Sequence, residues 1–349
     1  MSRIDIGYRP NPGQGRTSHL TSNSSTRHPV RIGLITNPHS RRNRSQLAAI
    51  EAIVANHPGI HHRITQSEQD IPQVLQDFAQ LGVDVVAING GDGTTAQVFS
   101  VLIGQRPFAS LPSVILLPGG TTNMNAGDVG IRGRLKQAVR RMADWANTGN
   151  GRIRRISRPV LRAEGALDGS VAYGMFFGAG TIIRGIEYCH DKVHTVGITD
   201  ELGPGVVMLR TIWGIARREP YFSAPTPMRL AFNDTTDAQT REVVLLLITS
   251  LERLFLGMRP WWGDETAAMH CTWVQKPTHR VLRAFPSLVR GKPNHHVTPE
   301  NGYFSHNADR IQLWIDGTFT LDGDMYHAST EHGPVTVSSG ADIDFIRIG

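Results

Sequence analysis

Two cysteines in 349 residues exclude a disulfide scaffold and argue against a cysteine-based zinc fold, so the chain suits a reducing compartment. Aromatic residues are sparse at 7%, and none interrupts the densest basic stretches, residues 41–44 and 152–158. With no zinc-finger spacing either, nucleic acid is not an expected partner. No apolar run approaches the roughly 18 residues of a membrane-spanning helix; the best, residues 243–248, has the length of a strand. The N-terminal segment has no apolar stretch of the secretory-signal kind, and a cytoplasmic protein is expected.

What the chain does have is 40% apolar residues, 36 glycines and 20 prolines, the composition of a loop-rich globular protein. Its length divides into about two domains. Thirty-six Lys and Arg against 30 Asp and Glu leave a net charge of +6. That balance favours anionic partners, nucleotide phosphates or an anionic lipid surface among them.

The hydrophobic pattern falls into three parts. Residues 1–29 are polar, basic and without apolar periodicity, and a disordered tail is expected there. Residues 30–149 alternate short apolar strands (31–36, 60–65, 83–88, 113–117) with helical spacings (46–57, 70–81, 95–103, 135–146). Such alternation predicts parallel pairing and a doubly wound α/β domain, in which ligands bind beyond the carboxyl ends of the strands. Residues 150–349 are richer in β-branched and alternating runs, at 152–162, 171–177, 228–232, 242–249, 270–275, 310–315 and 318–321. They predict an antiparallel β-sandwich domain whose C-terminal strand could return to the first domain. One helix, residues 205–218, is expected to pack a stripe of Val206, Leu209, Ile212 and Trp213 against the sandwich.

Three loops follow the first-domain strands and fall at one edge of the expected sheet. They are Asn37-Pro-His-Ser, Asn89-Gly-Gly-Asp-Gly-Thr-Thr and Pro118-Gly-Gly-Thr-Thr-Asn. Glycine and threonine in the last two let backbone N–H groups approach a polyphosphate while hydroxyls add donors. Asp92, between glycines, places one carboxylate beside those phosphates, suited to a magnesium ion and its waters. A plain turn is the alternative for any one such loop. No Walker loop occurs, and Gly90-Gly-Asp-Gly-Thr94 lacks the third glycine of the dinucleotide fingerprint. Cys189, His190 and His194 offer metal-ligand types at short spacing, but no fourth ligand is evident.

Asn37-Pro38, Gly90-Gly91-Asp92-Gly93-Thr94 and Pro118-x-Gly120-Thr121-x-Asn123 resemble the three signatures of the diacylglycerol kinase catalytic-domain family, shared by bacterial lipid kinases, sphingosine kinases and ceramide kinases. The resemblance is strong over residues 31 to about 130. It is weaker beyond, through residues 177–180 and Leu321-Asp-Gly-Asp324, which stands where the family carries Asp-Gly-Glu. It implies an NAD kinase/diacylglycerol kinase-like plan, α/β plus β, with ATP and Mg²⁺ as cofactors. The acceptor would be the hydroxyl of a membrane lipid such as diacylglycerol or ceramide. By the same resemblance Gly90, Gly91, Asp92, Gly93, Thr94, Thr95 and Ala96 surround the phosphates. Asn37, Thr65, Gly120, Thr121 and Asn123 complete the nucleotide site, and Asp322 is the general base. The protein would act peripherally on the inner face of the membrane; a homodimer is compatible with the sequence.

The sequence also departs from the family. Arg41 replaces a glycine of the first loop, Met124 the acid after Asn123, and Gly127 an arginine; Asp128 lies near enough to stand in for the lost acid. These changes keep open a non-catalytic nucleotide- or lipid-binding regulator. An NAD kinase is the further alternative, but its Asn-Glu pair after the fourth strand is not found.

Overall fold

A computed structural model describes residues 17–19, 30–149, 151–189, 203–233, 235 and 239–349. A three-residue strand, β1 (Thr17–His19), lies ahead of the first layer. In that layer β2 (Ile32–Thr36), β3 (Ile60–Ile64), β4 (Val85–Gly90) and β5 (Ser113–Pro118) pair in parallel in the order β3-β2-β4-β5. Their apolar runs are buried on both faces, as parallel strands require. Leu34, Ala87 and Ile115 face one way, beneath α2 (Leu47–Val54) and α6 (Leu135–Thr148), the helices that cover that side. Ile35, Ile88 and Leu116 face the other, beneath α3 (Ile71–Gln80) and α4 (Asp92–Phe99). A short α1 (Arg41–Arg44) precedes α2, and α5 (Met124–Val129) precedes α6. Phe78 of α3 lies so close to Gly33 that a Cβ there would sit 2.3 Å from its ring. The strand order reverses at β2, which opens a crevice between the ends of β2 and β4.

The second region is the antiparallel β-sandwich. It comprises β6 (Ile153–Glu164), β7 (Ala172–Gly174), β8 (Phe176–Gly180), β9 (Thr226–Phe232), β10 (Gln239–Thr249), β11 (Met269–Gln275), β12 (Tyr303–Ala308), β13 (Arg310–Ile315), β14 (Gly317–Leu321), β15 (Asp324–Ala328) and β16 (Val335–Ile348). Alternate side chains such as Leu161, Phe177, Leu246, Ile311, Phe319 and Val337 meet in one core. The hydrogen-bonded path runs β15-β14-β8-β10-β9-β13-β16 and continues through β5 into the parallel layer. Strand β16 makes the join: it pairs antiparallel with β13 and β6, and in parallel with β5, where Phe345 stands opposite Val114. Helices α7 (Thr181–Tyr188), α8 (Gly203–Ala216), α9 (Pro220–Ser223) and α10 (Val281–Leu288) belong to this region.

Some expectations need correction. Thr17–His19, within the stretch expected to lack structure, pairs with Arg154–Ile156, whose edge offers unsatisfied backbone groups; the rest of residues 1–29 lies outside the described residues. The helix at 205–218 forms, but Val206, Leu209 and Trp213 are 48%, 58% and 49% exposed. Its inward face is the neighbouring one, carrying Val207, Thr211 and Ile215. Helices α5, α7 and α10 escape a periodicity reading because each spans only two turns or so.

Candidate functional site

The Gly-rich loops meet over the crevice between β2 and β4. After β4 the chain turns at Gly91 and enters α4 with Asp92 as its first helical residue, so the expected seven-residue loop is largely the first helical turn. An acid at that position complements the positive end of the helix dipole. Thr95 N–H already bonds Gly91 O, and Ala96 stands inside the helix. Residues 91–94 therefore keep amides that the helix does not consume. The loop after β5 packs backbone to backbone against them: a Cβ on Gly120 would fall 2.5 Å from Gly91 Cα, and one on Gly119 2.5 Å from Asn89 Oδ1. Asn123, in the left-handed region at φ 48°, fastens that loop. It accepts the Gly120 N–H at 2.7 Å and donates to Gly120 O at 2.7 Å. Asn37 Nδ2 donates to Thr94 Oγ1 at 2.9 Å, tying the first loop to α4. Thr65 is buried at the same edge, its N–H bonded to Thr36 O. Thr121 is half-buried in the third loop.

Two residues outside the expected set hold this cradle. Asn43, fully buried, donates from Nδ2 to Asn37 O at 2.7 Å and to Asn89 O at 3.0 Å, so it bridges the ends of β2 and β4. Arg42 donates to Pro118 O, whereas Arg41 is exposed at the start of α1. An asparagine inside a run of arginines reads as solvated polar sequence, and nothing in the pattern singles it out.

The second missed residue is Asn125. Asp92 accepts the Met124 N–H at 3.0 Å and the Asn125 N–H at 2.9 Å, one on each oxygen. Asp322 accepts Asn125 Nδ2 at 2.9 Å, together with the N–H groups of Met175 and Phe176 at 3.0 Å each. One buried asparagine thus joins the carboxylates of the two regions through its backbone and its side chain. Asp322 and Gly323 are the two-residue turn between β14 and β15, with φ of 49° and 102°, the positive pair that a type I′ hairpin demands. The turn separates Asp322 from Asp324, whose Oδ1 would lie 3.5 Å from a Cβ at Gly93. Burial raises the Asp92 carboxyl above its ordinary range. Burial, and then the charge of Asp92, push Asp322 up to about 8. Asp324 is raised by burial and by the Glu68 charge.

Asp92 and Asp322 both line one cavity of about 540 Å³. Beyond them most of its wall surface is apolar: α7 gives Ile182 and Ile186, α8 gives Met208 and Ile212, and α10 gives Phe285 and Leu288. Met258 and Pro260 also line it, while Trp261 stacks on His270. Asp128 does not serve as a substitute acid. Its carboxylate accepts the Glu252 N–H at 3.0 Å and faces Arg158 and Arg253 at 3.5 Å each. No group of three acid, His or Cys side chains suited to a metal gathers among the described residues; His190 and His194 lie outside them. Magnesium brought by a nucleotide needs only one or two carboxylates besides phosphate and water. The donors present, Asp92 with Asp322 beside it, fit that demand.

Residues 31–149 match the diacylglycerol kinase catalytic domain. Over 106 residues, 30% of this chain, the sequence is 36% identical to a probable lipid kinase YegS-like protein of Enterobacter sp. (strain 638). Over 107 residues it is 35% identical to a probable lipid kinase YegS of Salmonella arizonae. These matches span 35% and 36% of those relatives, about a third of their length. The crystal structure of a diacylglycerol kinase from Bacillus anthracis str. Sterne superposes with a TM-score of 0.55 at 20% identity, covering 91% of this chain and 96% of that one. The likeness in fold thus extends through the sandwich, beyond the stretch matched in sequence.

Proposed function

We propose that the protein is an ATP-dependent lipid kinase that transfers the γ-phosphate of ATP to the hydroxyl of a membrane lipid such as diacylglycerol or ceramide. The observation that carries this reading is the pair Asp92 and Asp322, linked through Asn125 at a polar patch of an otherwise apolar cavity. Acyl chains match such walls, and the free hydroxyl of the lipid that bears them would arrive at Asp322. The amides of residues 91–94, together with the Gly119-Gly120 backbone, suit the nucleotide phosphates, and Asn37, Thr94, Thr121 and Asn123 border them. Asp92 is the carboxylate that would hold magnesium, whose charge would offset that of the phosphates.

Phosphoryl transfer asks little of a protein beyond positioning, charge neutralisation and a base near the attacking oxygen. Asp322, in its ionised form, would take the hydroxyl proton as that oxygen bonds to the γ-phosphorus and the bond to ADP breaks. The backbone donors of Met175 and Phe176 fix the carboxylate in place for this.

No helix among the described residues is long and apolar enough to cross a membrane. Leu209 and Trp213 of α8 and Leu282 of α10 are exposed on the helices that wall the cavity, close in sequence to Arg217, Arg218, Arg280 and Arg283. Apolar tips among cations support a peripheral encounter with an anionic bilayer.

Incubation with γ-labelled ATP and a lipid panel, followed by thin-layer separation, tests the reading. Labelled lipid is expected from the native protein and a loss of about 10²–10⁴-fold from Asp322→Asn, with ATP binding retained. Undiminished transfer by Asp322→Asn would refute the base assignment. ATP binding without any labelled lipid would instead favour a regulator.

A further inference from the structure

Among the described residues, six of the side chains lining the cavity wall, apart from Thr122, carry a hydroxyl, and four of these are already occupied. Thr181 donates to Phe222 O and Val244 O, Thr272 to Pro260 O, Thr278 to Gln275 O and Tyr303 to His279 O. The other two are Thr211 and Thr320, whose hydroxyl oxygens are buried without a hydrogen-bond partner. Thr320 is 1% exposed. Its neighbours in β14, Phe319 and Leu321, turn into the sandwich core, so the alternation of the strand puts Thr320 on the cavity side. Its methyl lies over Gly178, where a Cβ would meet Thr320 Cγ2 at 3.2 Å. Both strands flanking β14 are paired to it, and they leave the hydroxyl unsatisfied.

A buried hydroxyl without a partner destabilises the protein, because it has given up its hydrogen bonds to water. The cavity offers one remedy, an acceptor atom on whatever fills it. Thr320 stands two residues before Asp322, about 6–7 Å along a strand, so that acceptor belongs close to the phosphorylated hydroxyl. We propose that Thr320 is a specificity-determining residue that donates a hydrogen bond to a carbonyl oxygen of the acceptor lipid. The cavity would thereby favour acylated lipids over alkyl ethers of the same shape. The proposal rests on the lipid-kinase reading for the identity of the ligand, but not on phosphate transfer for its test.

Thr320→Val keeps the shape and removes the donor. Displacement of an environment-sensitive fluorescent alkyl probe from the full-length protein measures binding of dioctanoylglycerol and of the matching dioctyl ether, which lacks both carbonyls. The substitution is expected to weaken the ester about five- to tenfold, the worth of one hydrogen bond, and to leave the ether within about twofold. Thr320→Ser, which retains the hydroxyl, should keep the preference for the ester even if Thr320→Val folds poorly. Equal loss for both lipids, loss for neither, or failure of both to displace the probe from the native protein would overturn the proposal. If the ester preference depends on Thr320 while no labelled lipid forms with ATP, the contact stands and the kinase reading falls.

Discussion

Asn125 occupies a position at which either neighbour in space could have been left with an unpaired charge. Its backbone N–H serves Asp92 and its side chain serves Asp322, so two acids that repel each other are held by one residue. The protonation of Asp322 follows from that closeness. With its carboxyl pushed up to about 8 by burial and by Asp92, most of it carries a proton at neutral pH in the ligand-free protein. The proposed reaction needs Asp322 ionised, so kcat/KM for lipid is expected to fall as pH drops below about 8, in a pH–rate profile taken under constant ionic strength. Asp92→Asn removes the neighbouring charge and should move the Asp322 titration to lower pH, visible by carboxyl-carbon NMR whether or not activity survives. Stability has the opposite sense. A carboxyl that binds its proton more tightly when folded contributes most below its unfolded pKa near 4, and that contribution is lost as pH rises through 8.

Among the elements, the glycines of the two loops do different work from those elsewhere. Gly120→Ala would drive a methyl into Gly91 Cα and part the loops; overpacking of about 1–3 kcal/mol predicts nucleotide binding weaker by about tenfold, measurable by calorimetry. Gly127→Ala in α5 meets nothing within 4 Å and should be neutral or stabilising by up to about 1 kcal/mol in denaturant titration. The sequence made the Gly-rich elements legible because an apolar strand, a glycine pair and an acid form one contiguous pattern. The parallel layer was legible for the same reason, each strand and helix being a local signal. Asn43 and Asn125 were not, since their importance lies in partners 46 and 197 positions away. Helix α8 was found, but its inner face was misjudged: it is apolar on two sides, and periodicity alone does not say which side covers a cavity.

At the scale of the whole molecule, Asp128 fastens the layers. It lies in α5, receives Arg158 from β6 and Arg253 with the Glu252 N–H from the segment after β10, and its own carbonyl accepts from Arg347 of β16. Asp128→Ala removes one of the two carboxylates facing Arg158, itself 7% exposed, and leaves Glu252 at 3.7 Å; a loss of about 1–3 kcal/mol is expected in equilibrium unfolding. The acid nearest the altered loop is thus committed to holding the two regions together. Strand β16 adds a constraint of another kind. Phe345 completes a sheet whose adjoining strand holds Val114, so during synthesis β5 must wait with an open edge while more than two hundred further residues are made. At about 5–20 residues per second that is on the order of ten seconds or more. Any ribosome stall in the second half of the message therefore leaves a nascent chain with a sticky, unfinished first layer, the natural point for a chaperone to hold it.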